Sequence, residues 1–273
     1  MTSCSSAATH RAGLAFDSIA EQYDDIFTRS RIGRAQRAAV WPVLQQIFRV
    51  GERVLELNCG TGEDALFLAR TGVSVYGCDA SERMIAVAAR RIAEAARGAQ
   101  VQLEVRSTEA IGELRDAGDF DGVLSNFSGL NCVADLGDVA SHLARLVKPE
   151  GRLVLCFSSR LCLWETLWYM AHGQVARALR RLPGKAAASL DGIVLDVWYP
   201  TVWHIRRLFA PHFVLRGHKG IGVTVPPSYL EPWARRHPKA LSLLQAIDQA
   251  VAGWFLLRGI GDHTLLVLER TRS

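Results

Sequence analysis

The run Val54-Leu55-Glu56-Leu57-Asn58-Cys59-Gly60-Thr61-Gly62, with Asp79 closing the next apolar run, constrains this chain more than any other stretch in it. Residues 53–57 read as a buried strand and the two glycines as a tight turn. Glu63 and Asp64 then suit the first turn of a helix, where acids face the positive end of its dipole. A second strand at 73–78 leads into the Asp79 carboxylate, nineteen residues after Gly60. Strand, glycine turn, helix, strand and acid together describe a nucleotide-type site on an open parallel sheet.

The acid inside the first strand narrows the ligand. Glu56 stands just ahead of the turn, where a dinucleotide fold brings a diphosphate to the helix N-terminus. A carboxylate about 4 Å from a phosphate costs roughly 4 kcal/mol at an effective dielectric near 20. An amino group in that place gains about 1.5–3 kcal/mol from a charge-assisted hydrogen bond. The loop therefore favours a nucleoside that carries a cation over NAD. Asp79 can accept both ribose hydroxyls; its plainer reading, a helix cap, is weakened because Ser81 already supplies one.

Around this centre, strands alternate with helices. A helix over 15–29 places Phe16, Ile19, Ala20, Tyr23, Ile26 and Phe27 at three-to-four spacing. A second covers 31–49 and is interrupted near Trp41-Pro42, since proline lacks the backbone donor. Later helices run from the glycine turn to before Gly72, from Ser81 to about Ala96, and from Leu136 to Val147. Further strands fall at 101–106 and 120–125 and, after the turn signal Pro149-Glu150-Gly151, at 152–157. The alternation breaks after Ser158. Residues 160–182 read as one helix and 192–198 as a short extended piece, and Thr201 caps a helix to about Phe209. A strand near 213–218, a helical segment from Pro226-Pro227 to about Leu257, and a last strand at 264–269 complete the chain.

Four segments occur in order: Phe16-Asp17-Ser18-Ile19-Ala20-Glu21-Gln22-Tyr23-Asp24, the glycine loop, Cys78-Asp79-Ala80-Ser81-Glu82-Arg83-Met84, and Phe120-Asp121-Gly122-Val123-Leu124-Ser125-Asn126. In these the chain resembles class I S-adenosylmethionine-dependent methyltransferases of small-molecule type, over roughly residues 14–157. The resemblance implies an α/β, Rossmann-like, doubly wound, mostly parallel seven-stranded sheet with its last strand antiparallel, carrying helical lid insertions. One domain spans 1–273: a helical cap (1–50), a cofactor-binding core (51–158), a lid insertion (159–200), and a C-terminal part of the sheet (201–273) with a helical insertion at 226–258. The implied cofactor is S-adenosyl-L-methionine, leaving as S-adenosyl-L-homocysteine.

Site residues follow from the same resemblance. Glu56, Asn58, Gly60 and Gly62 surround the methionine end, although many relatives carry glycine where Asn58 stands. Asp79 takes the ribose, and Ala80 and Met84 resemble residues that flank the adenine; a methionine on that helix face can equally be core. The family's Asp after strand three is replaced by Ser107 and Thr108, with Glu109 beside them. Asn126 and Phe127 leave strand four where the methyl group sits, and Tyr23 matches the Tyr-Asp segment that folds over the cofactor. The Asn/Asp-Pro-Pro-Tyr/Phe pattern of enzymes that methylate adenine or glutamine amides is missing at 126–129.

The acceptor side is read from the residues themselves. Six of the seven tryptophans (Trp164, Trp168, Trp198, Trp203, Trp233, Trp254) lie beyond residue 160, which suggests an aromatic roof over an apolar pocket. Asn131, Trp164, Trp168 and Tyr199 are the substrate-binding candidates. Methyl transfer needs chiefly proximity, so no base is singled out among His172, His204, Glu165, Tyr169 and Tyr199. His263 reads as a turn residue.

Composition bounds the rest. With 273 residues, 49% hydrophobic and 22% charged, the chain can fill one α/β domain and is not disordered in character. Six cysteines without Cys-x-x-Cys spacing read as reduced thiols, with no metal site. The net charge of +5 concentrates locally only in Arg177, Arg180, Arg181 and Lys185, a solvated helix end or a site for an acidic partner. Met1 to Gly13 lacks the apolar core of a signal peptide, and no apolar run is long enough to span a bilayer. The expectation is a cytoplasmic enzyme acting on a small or medium organic molecule, without a nucleic-acid partner. Its rivals are a methyltransferase for RNA or protein, and a non-catalytic or membrane-surface module built on the 160–182 helix.

Overall fold

The computed structural model describes residues 2–95, 100–114 and 119–272, with side chains from residue 11 onward. Strand β1 (Arg53–Leu57) forms as expected and pairs in parallel with β2 (Ser74–Asp79) on one side and β4 (Phe120–Ser125) on the other. Outside them lie β3 (Val101–Val105) and β5 (Val147–Ser158), also parallel. The final strand β9 (His263–Arg270) inserts antiparallel between β5 and β8 (Phe213–Ile221). The order β3-β2-β1-β4-β5-β9-β8 is the expected seven-stranded sheet with its last strand reversed. The strand order switches direction between β1 and β4, so the ligand crevice of such a sheet opens beyond their carboxyl ends.

The pleat sends alternate residues to opposite faces. Leu55, Leu57, Val123 and Leu155 pack with helices α5 (Leu136–Leu146) and α8 (Val202–Phe209). Val54, Leu124 and Val154 pack with α2 (Arg31–Ile47) and α3 (Glu63–Arg70). Helix α4 (Glu82–Ala95) is capped by Ser81, whose Oγ accepts from the Met84 N–H at 3.0 Å. Its expected end at Ala96 lies outside the described residues. Among the described residues, no helix is long and apolar enough to cross a membrane.

Several expectations need correction. Helix α1 (Thr2–Tyr23) starts earlier than residue 15 and hands over to a π-helical turn at Asp24–Thr28. Helix α2 runs unbroken through Pro42. Burial of Val40, Val43 and Leu44, with Trp41 stacked on Phe67 at 4.2 Å, outweighs the missing hydrogen bond. Pro149-Glu150-Gly151 does not precede β5 but bulges within it: Glu150 is left-handed, and the register against β4 slips between Phe120 and Gly122. The single helix expected over 160–182 is two, α6 (Leu163–Ala171) and α7 (Val175–Ala178). Gly173, at φ +70°, breaks it: its N–H reaches Met170 O at 3.0 Å while the Gln174 N–H reaches Tyr169 O at 2.8 Å, a glycine C-terminal motif.

The extended piece at 192–198 is half of a hairpin, β6 (Lys185–Leu190) and β7 (Ile193–Trp198). Asp191 and Gly192 turn it, both left-handed as a two-residue primed turn requires. Helices α9 (Glu231–Arg236) and α10 (Pro238–Val251) replace the long segment after Pro227. His263 opens β9 rather than a turn.

Two close approaches place the outer layer over the crevice. A Cβ on Gly13 would stand 2.8 Å from the Ala80 carbonyl oxygen, so α1 lies directly on the loop after β2. Asp17 Oδ1 fastens it by accepting from Ser81 Oγ at 2.6 Å and the Arg83 N–H at 3.0 Å. After β4, a 3-10 turn (Gly129–Cys132) presses on the glycine loop so tightly that a Cβ on Gly129 would collide with Asn58. Gly129→Ala is accordingly expected to destabilise the fold by roughly 1–3 kcal/mol, read as a lower urea midpoint at unchanged slope. An unaltered midpoint would mean that the two loops are free to separate.

Candidate functional site

The glycine loop is left-handed at Asn58, Gly60 and Gly62, with φ of 55°, 52° and 73°. Gly60 and Gly62 adopt this readily; Asn58 does so at some strain. Opposite it, Phe127 and Ser128 leave β4 at φ 45° and 72°. Non-glycine residues in this region cost about 1–3 kcal/mol each and gather at functional sites. Packing holds them there. The Phe127 ring meets Phe27 at 5.0 Å and His263 at 5.5 Å, with the Arg37 guanidinium 4.9 Å from its centre. The Ser128 N–H reaches Cys156 O at 3.0 Å.

Asp79 joins two loops. Its Oδ2 accepts from the Gly60 N–H and its Oδ1 from the Ser81 N–H, each at 2.9 Å. Burial still pushes its carboxyl above the usual range, with the two N–H groups pulling the other way. The π-helical turn grips the same loop, since Asp24 Oδ1 accepts from Thr61 Oγ1 at 2.8 Å and Arg91 pairs with both Asp24 and Glu63.

Between these elements lies a cavity of about 400 Å3. Of the expected cofactor residues, Tyr23, Asn58, Gly60, Asp79, Ala80, Met84, Asn126 and Phe127 line it. Its remaining walls are mostly apolar: Phe16, Ile19, Ile26 and Phe27 from the N-terminal helix and turn, and Leu190, Leu195 and Val197 from the hairpin. A smaller pocket shares Tyr23, Asn58, Gly60, Asn126 and Phe127 and adds Glu56, Arg37 and Asp64.

Glu56 is the outlier of this inner pocket. It is buried, and its Oε2 has no hydrogen-bond partner among the described residues. Asp64 does not share its own partners: it accepts from Arg37 Nε at 3.1 Å, Trp41 Nε1 at 2.6 Å and Asn126 Nδ2 at 2.9 Å. Arg37 Nη1 is also buried without a hydrogen-bond partner among the described residues. One unsatisfied acceptor and one unsatisfied donor of opposite charge thus meet in one pocket, matching the two ends of a zwitterionic amino acid. Burial, and then the negative charge of Asp64, push the Glu56 carboxyl well above the usual range, although Arg37 opposes them.

Other expected residues fall elsewhere. A Cβ on Gly62 would lie 2.9 Å from that of Ala88, so this glycine lets α3 pack on α4 and does not line the cavity. Thr108 Oγ1 donates to Asn58 Oδ1 at 3.2 Å, and neither Ser107 nor Thr108 lines the cavity. Asn131 is a buried strut: Nδ2 donates to Trp198 O at 2.5 Å and Oδ1 accepts from the Ser158 N–H at 2.9 Å. Trp164 donates to Thr224 O at 2.8 Å and packs under α2 and α9. Trp168 faces outward against His172, and Tyr199 is buried beneath Arg181. The roof is therefore made by phenylalanines and the hairpin, while these tryptophans hold the outer layer together or face outward.

Glu165 binds Arg180 and Arg181, Arg181 also binds Asp262, and Lys185 pairs with Asp196, so most of the basic cluster is neutralised internally. Neither Arg37 nor Asp64 was among the expected site residues, although Asp64 was expected in the first turn of its helix. Arg37 was detectable as a lone cation on the buried stripe Gly33, Arg37, Val40, Leu44 of α2.

Comparison with known proteins bears on this geometry. The family described as Methyltransferase domain matches residues 54–151. A demethylmenaquinone methyltransferase of Clavibacter sepedonicus is 34% identical over 143 residues, covering 52% of this chain and 55% of that protein. A ubiquinone/menaquinone biosynthesis C-methyltransferase of Geotalea uraniireducens is 30% identical over 159 residues, covering 56% and 66%. The chain thus spans little more than half to just under two-thirds of the length of these relatives. Among solved structures, the [4+2]-cyclase SpnF superposes with a TM-score of 0.66 at 15% identity, covering 97% of each chain, a likeness of fold.

The isolated carboxylate predicts a pH signature. Because Glu56 holds its proton more tightly folded than unfolded, its contribution to stability is full below the ordinary glutamate range. That contribution is lost as pH rises through this range and on to the raised folded value. Glu56→Gln should flatten this decline and raise the unfolding midpoint of the ligand-free protein above neutral pH. Urea titrations at a series of pH values test it; parallel pH profiles for both proteins would show that Glu56 is not strained.

Proposed function

We propose a methyl transfer for this chain, and the premise is its family: it belongs to the class I S-adenosylmethionine-dependent methyltransferases. The observation that carries the reading is the unpaired Glu56 carboxylate oxygen facing the same inner pocket as Arg37, beside the apolar cavity that holds Asp79. S-adenosylmethionine supplies, when bound, an electrophilic methyl group on a sulfonium. Glu56 and Arg37 would hold its amino and carboxylate groups, and Asp79 its ribose hydroxyls. Ala80 and Met84 would border the base, and Tyr23 and Phe127 would close over it.

The acceptor is a small or medium apolar molecule. Phe27 and the hairpin residues Leu190, Leu195 and Val197 offer it contact without polar partners and keep water from the reacting atoms. Menaquinone-type rings, the substrates named for the relatives, match such walls. Among the described residues lining the cavity, the titratable side chains are Tyr23, Asp79 and Cys132. Burial pushes Tyr23 and Cys132 up to about 12, so both stay protonated at neutral pH. Asp79 is engaged by two backbone donors. This chain therefore orients the acceptor, which brings its own nucleophile: an ionised hydroxyl, or an electron-rich ring carbon that gives up its displaced proton to water once the methyl has moved from sulfur to carbon.

Calorimetry should find S-adenosylmethionine binding in the micromolar range, about −8 kcal/mol. Release of a proton should accompany it, as the ligand ammonium draws Glu56 into its charged form. Asp79→Ala should weaken binding at least tenfold, about 1.4 kcal/mol. Tight NAD binding, or full affinity in the variant, would remove the assignment. Supplied with methyl-labelled cofactor and a demethylmenaquinone analogue held in its reduced, quinol form, the protein should label the ring compound; label found only in RNA or protein would overturn the small-molecule reading.

A further inference from the structure

Helix α6 is inside out. Its charged residue, Glu165, is buried in an ion pair with Arg181, while Leu163, Leu167 and Met170, spaced i, i+4, i+7 on one face, point to solvent. Leu167 is 59% exposed and Met170 49%, against 2% for Glu165. In the next segment Val175, Leu179 and Leu182 are likewise exposed, while Ala178 and Arg181 are buried. A helix that packs on a core presents the opposite arrangement. An apolar helix stripe adjoined by further exposed apolar residues marks an interaction site.

We propose that this face is a membrane-surface anchor that lays α6 and α7 on an anionic lipid bilayer. Charge selects that occupant. Between Ser159 and Gly184 the one acidic residue, Glu165, is buried and shared by Arg180 and Arg181, whereas Arg160 and Arg177 of the same stretch are in no ion pair among the described residues. A second copy docked on the same patch would set these arginines against each other, while anionic headgroups complement them. Trp168 at the stripe's edge suits the headgroup region, where tryptophan has both apolar and polar neighbours. The face also adjoins the cavity. Tyr169 of α6 packs on Tyr229 at 5.8 Å, and the neighbouring Ser228 lines the cavity wall. An apolar acceptor dissolved in the bilayer would thus lie next to the site, although anchoring itself does not depend on methyl transfer.

Vesicle flotation tests the anchor. The full chain should float with phosphatidylcholine vesicles containing phosphatidylglycerol, several-fold less with phosphatidylcholine alone, and less again as salt is raised. Leu167→Glu with Met170→Glu, both exposed and neither lining the cavity, should reduce flotation at least tenfold while S-adenosylmethionine affinity stays unchanged. Phe255→Glu, in the separate exposed segment Trp254-Phe255-Leu256, should leave flotation as it was. No flotation at low salt overturns the proposal. So does loss of flotation with Phe255→Glu but not with the α6 pair, or a dimer that the α6 pair dissociates without any lipid binding.

Discussion

The buried ion pair between Arg37 and Asp64, 3.1 Å apart, is the interaction on which the crevice depends. It ties α2 of the outer layer to the first turn of α3, and Asp64 also collects Trp41 and Asn126. Burying charge is expensive unless every partner is present. Here Asp64 is fully engaged, which leaves Glu56 Oε2 and Arg37 Nη1 without hydrogen-bond partners among the described residues. The strain is local, and it is the form a preorganised site takes: polar groups desolvated before the ligand arrives bind its charges without reorganising.

The N-terminal layer transmits this arrangement to the rest of the site. Asp24 reaches the glycine loop through Thr61, and Asp17 reaches the start of α4 through Ser81 and Arg83. Gly13 allows the helix to lie against Ala80. These contacts connect the first helical segment to both loops that Asp79 joins, so the π-helical turn and Tyr23 are part of the cavity wall rather than a detachable cap. The cost of left-handed Phe127 and Ser128 on the opposite side is offset by aromatic packing from Phe27 and His263.

The glycine-loop side of the cavity was legible because strand, turn and capping rules are local. Strand β1 and strand β4 formed at the expected residues, and Asp79 ended β2 beside the glycine loop. The hairpin side of the cavity was legible only in part. The Asp191-Gly192 pair is a local hairpin signal, left-handed at both residues. Trp164 and Trp168 could not be assigned from composition, since a ring that packs a lid on a core and a ring that lines a cavity share one residue type. Pro42 likewise follows a local rule that tertiary burial overrode.

By itself the sequence determined a doubly wound sheet, the left-handed turn at its switch point, and the two acids at the tips of neighbouring strands. Backbone conformation and alternating burial impose these over a few residues. Tertiary structure alone decided which polar atoms remain unpaired. Whether Glu56 is satisfied depends on Asp64 and Arg37, brought from other elements, and on the partners these two take first. It also decided that α6 turns its leucines outward, because Glu165 finds its counterion, Arg181, across the bend at Gly173. Local patterns set where elements form; the pairing of buried charges over distance sets which faces are left to bind.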